Sequence, residues 1–106
     1  MTTLGSEEVL APLRARIDSI DEKIVGLIAE RTACVGEVIV LKKRDGLPAR
    51  IESRVEEVVA HVRGKAEEAG APPDLADVLW RIMIDWFIAY EQKHLTRPMQ
   101  GAGESE

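Results

Sequence analysis

An unbroken helical periodicity through most of the first half of the sequence is the feature that most constrains this chain. Apolar residues recur at spacings of three and four from about residue 12 to Arg44, and a loop sequence at residues 45–48 then ends the pattern. Pro12 is tolerated only in the first turn of a helix, so the helix is expected to open near Ser6 or Ala11. Nothing between these limits interrupts it.

The length of this helix predicts a second subunit. A helix over residues 12–44 is roughly 50 Å long at 1.5 Å per residue. A compact chain of 106 residues has a radius of gyration of only about 13 Å. The helix must therefore extend beyond its own domain, and only another chain can cover the apolar face that it exposes there. The expected state is a homodimer.

The rest of the sequence predicts two further helices and a tail. The second helix runs from Arg50 to Ala69, and the third runs from a capping Asp74 to about Leu95. The third helix is apolar on two sides, which predicts central burial. Residues 96–106 lack periodicity and are expected to be a disordered tail. With only 4% aromatic residues and hardly any alternation, the chain is predicted to be an all-α, three-helix protomer with a single domain over residues 1–95.

Composition excludes several classes of partner and cofactor. A net charge of −5 argues against a nucleic-acid surface, and no apolar run is long enough for a membrane span. The lone Cys34 forbids an internal disulfide, and the acidic start of the chain is unlike a signal peptide, so a cytoplasmic location is expected. Neither metal-ligand spacing nor a glycine-rich phosphate loop is present. The sequence therefore predicts no metal and no cofactor.

Cations on the apolar rows of the first helix indicate an anion site. Arg14, Arg31 and Lys42 share these rows, where a charge is costly unless it is paired. Arg31 and Lys42 lie three turns and roughly 16 Å apart on one line, and Arg54 begins the return helix. Arg14 lies roughly 25 Å from Arg31, so it would enter the site of the partner subunit. This pattern predicts two shared sites for a small dicarboxylate.

These cations, with an acidic motif and a carboxyl in the third helix, resemble the all-helical (AroQ-class) chorismate mutases. The resemblance covers about residues 10–95, and the intervals of 17, 11 and 12 between the four cations match that family's spacing. The related isochorismate pyruvate lyases are also similar, through residues 84–89. The residues that carry the resemblance are Arg14, Ile17, Asp18, Ile20, Asp21, Arg31, Lys42, Arg54 and Glu91.

The resemblance implies an intertwined homodimer that converts chorismate to prephenate without a cofactor or metal. The implied catalytic residues are Lys42, Glu91 and Arg31, with Lys42 and Glu91 at the breaking ether oxygen. Many relatives carry Gln at the position of Glu91, so Glu91 would need its proton to donate a hydrogen bond there. The implied substrate-binding residues are Arg14 of the partner subunit, Arg31, Lys42, Ile51, Arg54 and Phe87.

The substrate and the class of function both have alternatives. Ile51 stands where typical chorismate mutases carry an acidic residue that meets the ring hydroxyl. Its presence leaves open 4-amino-4-deoxychorismate as the substrate, or isochorismate cleaved to salicylate and pyruvate. The reaction would then belong to aromatic or to salicylate biosynthesis. A second alternative is a non-catalytic helical dimer that acts as a binding module, in which the cations pair with Asp18, Asp21 and Glu30.

Overall fold

The computed structural model describes residues 5–96, and this part of the chain holds three α-helices and no strand. The helices are α1 (Ser6–Asp45), α2 (Glu52–Ala69) and α3 (Pro73–Leu95). They confirm the all-α prediction and its helix order. The predicted tail at 96–106 lies, apart from Thr96, outside the described residues. None of the described helices combines the length and the apolar content that crossing a bilayer requires.

Helix α1 begins at Ser6, which confirms the earlier of the two predicted starts. The Gly5 amide donates a hydrogen bond to the carboxylate of Glu8 at 2.8 Å, which is half of a capping box at the start of the helix. Pro12 consequently lies inside the helix and not in its first turn, so that expectation is wrong. The cap supports the first turn, and the ring of Pro12 costs one backbone hydrogen bond. At the other end, Gly46 adopts a positive φ of 69° and stops the helix.

The connection between α2 and α3 is short and fixed by backbone geometry. Gly70 has a φ of 80°, and the amides that follow α2 bond to the carbonyls of Ala66 and Glu67. Helix α3 then starts at Pro73, with Pro72 as its N-cap and no side-chain cap. The predicted capping role of Asp74 is wrong, because this residue lies within the helix and pairs with Arg63 of α2 at 3.4 Å.

The chain divides into two compact units, one up to Cys34 and one from Val35 onward. In the second unit α2 packs against α3 around a small apolar core. The core residues are Val55, Val59 and Ile84, with Val58, Trp80 and Ile88 packed against them. Arg81 of α3 also reaches Glu56 of α2 at 3.2 Å. The prediction of a single domain over residues 1–95 stays a prediction.

Apolar faces of α1 and α3 are exposed in this chain. The large apolar side chains of α1 between Val9 and Ile28 are 38% to 64% exposed. In α3 one predicted stripe is buried or half-buried, whereas the other is exposed except for the half-buried Tyr90, because α2 covers one side of α3 only. Central burial of this second stripe stays a prediction. The exposed stripe consists of Leu75, Leu79, Ile82 and Trp86.

Candidate active site

A lysine and a carboxylate from different helices form the centre of the site. Lys42 lies in the last turn of α1, and its Nζ donates to Oε1 of Glu91 on α3 at 2.7 Å. The same Nζ donates to the carbonyl of Ala49 at 2.8 Å. The two charged side chains are only 13% and 10% exposed. Within the described residues these bonds use two of the three ammonium hydrogens, which leaves one for an anionic ligand.

The aromatic residue Phe87 lies one turn before Glu91 on α3. Phe87 and Glu91 are four residues apart, share one face of the helix and are both buried. The Phe87 ring packs edge-on against Trp86, with ring centroids 5.1 Å apart, and against Tyr90 at 6.2 Å. Trp86 and Tyr90 stack at 5.4 Å. These contacts hold the ring of Phe87 in one place beside the Lys42–Glu91 pair.

The α1–α2 loop, residues 46–51, is attached to both the lysine and α3. Ala49 is buried and its carbonyl accepts the hydrogen bond from Lys42. The next residue, Arg50, donates through Nη2 to Oδ1 of Asp85 on α3 at 2.7 Å, and through Nη1 to Glu52 at 3.3 Å. These carboxylates, Asp85 first, raise the pKa of Arg50 above its usual value.

The loop ends at the predicted site residue Ile51, which is half-buried and is the N-cap of α2. Its carbonyl accepts hydrogen bonds from the amides of Arg54 and Val55. The Ile51 side chain has no polar atom, so it can form a wall of a site but not a hydrogen bond to a ligand.

Of the remaining predicted cations, two are exposed and one is half-buried. Arg54 is exposed and pairs with Glu57 at 2.7 Å, and exposed Arg14 pairs with Glu7. Such surface pairs contribute little to stability, so a ligand carboxylate can replace the glutamate at small cost. Arg31 is half-buried. Arg14 and Arg31 belong to the first unit, whereas Lys42, Ile51, Arg54, Phe87 and Glu91 belong to the second.

Three groups of this site were missed by the sequence analysis: the Ala49 carbonyl, Arg50 and Asp85. A carbonyl carries no sequence signal, because every residue has one. The sequence analysis placed Arg50 at the start of the second helix, whereas α2 begins at Glu52 and Arg50 lies in the loop, so that boundary is wrong. Residues 5–96 hold no group of three His, Cys, Asp or Glu side chains arranged to bind a metal ion.

A largely buried ammonium that faces a carboxyl inside an all-helical fold is typical of the class of proteins that bind small anions. The chorismate mutase type II family matches residues 13–92, a range that contains every predicted site residue. The chain belongs to the chorismate mutase type II family.

Relatives of two different lengths resemble the chain. It is 40% identical to the T-protein of Enterobacter agglomerans over 85 residues, which are 79% of this chain and 23% of that protein. It is 30% identical to the chorismate mutase of Methanocaldococcus jannaschii over 88 residues, which are 83% of this chain and 89% of that protein. The T-protein of Haemophilus influenzae is 39% identical over 77 residues, 72% of this chain and 20% of that protein. The chain therefore spans less than a quarter of the T-proteins.

Proposed function

We propose that this chain is a chorismate mutase, an isomerase that converts chorismate to prephenate. The observation that carries the proposal is the largely buried Lys42 ammonium, held between Glu91 and the Ala49 carbonyl. In this pericyclic step the ether C–O bond breaks as a C–C bond forms, with no covalent enzyme intermediate. Catalysis then consists of orienting the substrate and stabilising the negative charge that develops on the ether oxygen.

Each charged group takes a role that suits its position. Lys42 donates to the ether oxygen and a substrate carboxylate, and Arg31 binds a carboxylate. Glu91 occupies the second position at the ether oxygen, where it acts as a donor once it is protonated. In the free protein Glu91 instead accepts a hydrogen bond from Lys42, so substrate must replace this contact. Arg54 releases its surface partner Glu57 and instead contacts the α1–α2 loop and the substrate.

We propose that the active protein is a homodimer with two shared sites, in which Arg14 of the partner subunit completes each one. The exposed apolar faces of α1 and α3 support this arrangement, because exposed apolar faces of helices are typical of subunit interfaces. The proposed location is the cytoplasm, whose reducing conditions suit the exposed, free thiol of Cys34.

A second substrate is favoured by one observation, the half-buried Ile51 at the start of α2. Its apolar side chain cannot pair with the ring hydroxyl of chorismate. An altered ring substituent, as in 4-amino-4-deoxychorismate or isochorismate, is therefore the alternative, with lyase products in the latter case. Introducing Ile51→Asp is expected to raise turnover of chorismate, and an unchanged turnover would remove Ile51 from the specificity of the site.

Product analysis by NMR tests the proposal directly. The purified protein is mixed separately with chorismate, 4-amino-4-deoxychorismate and isochorismate. Prephenate from chorismate is the expected product, whereas its amino analogue from the second substrate, or salicylate and pyruvate from the third, would reassign the reaction. If none of the three compounds gives a product, the enzymatic proposal is overturned in favour of a binding module.

The variant Glu91→Gln tests the role of Glu91 at the ether oxygen. The glutamine amide carries a hydrogen-bond donor and no negative charge, so it does not repel the developing oxyanion. Initial rates on chorismate are expected to give a kcat/KM at least equal to that of the wild type. A large loss of kcat/KM in this variant would contradict the role.

A further inference from the structure

A closed set of contacts joins the α1–α2 loop to two points on α3. Starting from α3, Glu91 contacts Lys42, Lys42 contacts the carbonyl of Ala49, and the next residue, Arg50, returns to Asp85. Asp85 and Glu91 are six residues apart on one helix, roughly 9 Å along its axis. We call this set of residues the anchor ring; it consists of Lys42, Ala49, Arg50, Asp85 and Glu91.

The link between Ala49 and Arg50 is rigid. The carbonyl of Ala49 and the amide nitrogen of Arg50 belong to one planar peptide unit. A shift of Arg50 therefore moves the oxygen that holds Lys42. The Lys42 ammonium sits on a flexible four-carbon chain and depends on its hydrogen-bond acceptors for a fixed position. Its two acceptors, the Ala49 carbonyl and Glu91, are the two places where the anchor ring holds it.

We infer that Arg50 and Asp85 are positioning residues, which hold the Ala49 carbonyl so that it directs the Lys42 ammonium at the reacting oxygen of the substrate. This inference rests on the proposed chorismate mutase activity. Neither residue needs to touch the substrate for this role. Their ion pair acts through the loop backbone and through Lys42.

The exposure of the pair separates a positioning role from a structural one. The Arg50 and Asp85 side chains are 45% and 68% exposed, and ion pairs this exposed contribute little to stability. Their loss should hardly change the melting temperature. A small misplacement of a catalytic group, by contrast, lowers the rate strongly when catalysis depends on orientation. The role therefore predicts a fall in kcat without a matching fall in stability.

The first test is steady-state kinetics of the full-length chain with chorismate. Arg50→Ala and Asp85→Asn are each expected to lower kcat about 10-fold, with KM and the melting temperature nearly unchanged. The double variant should be no slower than either single variant, because both changes break the same link. Arg50→Lys, which keeps a cation within reach of Asp85, is expected to recover part of the lost kcat.

A matched control pair lies elsewhere between α2 and α3. Arg81 and Glu56 form a similarly exposed ion pair, with side chains 45% and 56% exposed, and they do not belong to the anchor ring. Arg81→Ala and Glu56→Gln are expected to keep the wild-type kcat. The inference is overturned if Arg50→Ala retains the wild-type kcat, or if the two single effects multiply in the double variant.

The second test does not require activity, so it separates this inference from the proposed function. The full-length chain is acetylated with an amine-reactive ester, and the rates at individual lysines are measured by mass spectrometry. Lys42 is expected to react about threefold or more faster in Arg50→Ala than in the wild type, because its carbonyl acceptor has moved. Exposed Lys65 serves as the internal control.

The kinetic and the acetylation measurements together show whether the proposed function or the anchor ring is wrong. A wild-type protein that converts no chorismate, with faster acetylation of Lys42 in Arg50→Ala, would refute the proposed function and support the anchor ring. Equal acetylation rates of Lys42 in the two proteins would refute the anchor ring, whatever the activity.

Discussion

Residues 5–34 and residues 35–96 are both helical with regular apolar spacing, yet they differ sharply in what they bury. In the first region the large apolar side chains of α1 are exposed, whereas every buried residue of the described chain lies in the second region. Helical periodicity thus identifies the side chains that share a face, but it does not identify the surface that covers this face. In the second region the cover is another helix of the same chain.

The largest expected effect comes from placing charge on the exposed face of the first region. Ile17→Lys combined with Ile24→Lys adds two ammonium groups to this face of α1. If a second copy covers it, the dimer dissociation constant should rise roughly 1000-fold, because unpaired charges must leave water. Analytical ultracentrifugation measures this constant.

Glu22→Lys is the matched control, because it makes the same change in net charge on a different side of α1. It should leave the dimer intact. The proposed dimer would be contradicted by a wild-type chain that is monomeric, or by a doubly substituted chain that associates as tightly as the control.

In the second region, Lys42→Ala is expected to lower kcat/KM roughly 500-fold, since it removes a donor to the developing oxyanion. The neighbouring Lys43 is the control, because its ammonium bonds to the carbonyl of His94 at 3.2 Å and not to Glu91. Lys43→Ala should retain activity. Initial rates on chorismate compare the two variants, and equal losses in both would show that Lys42 has no special role.

Removing Glu91, the acidic partner in the Lys42–Glu91 ion pair, should lower the stability of the fold. Glu91→Ala leaves the largely buried Lys42 ammonium without a carboxylate, so the free energy of unfolding should fall by about 3 kcal/mol. Urea titration measures this change. Glu57→Ala, which removes the exposed partner of Arg54, should cost less than about 1 kcal/mol. Similar costs for both would mean that the buried pair is no more important than a surface pair.

The smallest effect concerns the ion pairs between α2 and α3. Arg81 lowers the pKa of Glu56 and of Asp77 below their ordinary values of 4.5 and 3.8. A carboxyl whose pKa is lowered in the folded state stabilises the fold at pH values above its ordinary pKa. This contribution is lost as the pH falls through the folded-state pKa.

Glu56→Gln should therefore melt a few degrees at most below the wild type at pH 6, and the difference should shrink as the pH falls below the ordinary Glu pKa of 4.5. Thermal unfolding by circular dichroism at several pH values checks this expectation. A difference that persists or grows in acid would contradict the assigned cause.

Much of the helical architecture could be predicted from the sequence because its limits depend on local chemistry. Gly46 and Gly70 both adopt positive φ and end helices where the sequence indicates an end. The errors have local causes too. Pro12 lies inside α1 because the Gly5–Glu8 contact caps the helix earlier, and Asp74 pairs with Arg63 rather than capping α3.

The candidate site was less predictable because its contacts join distant parts of the chain. The spacing of the cations indicated an anion site, but Glu91 entered it only through the family resemblance. Arg50 and Asp85 are 35 residues apart and belong to no periodic pattern that would pair them. The hydrogen bond from Lys42 to Ala49 involves a backbone atom, so no choice of residue type could have indicated it.

The anchor ring also determines where the chain can change in length. It uses two consecutive positions, the carbonyl of Ala49 and the side chain of Arg50, at fixed distances from Lys42 and Asp85. One residue inserted before Ala49 would bring a different carbonyl to Lys42 or carry Arg50 away from its partner. The turn at residues 70–72 supplies nothing to the ring. Insertions and deletions among homologous chains should therefore accumulate at that turn and be excluded from the α1–α2 loop.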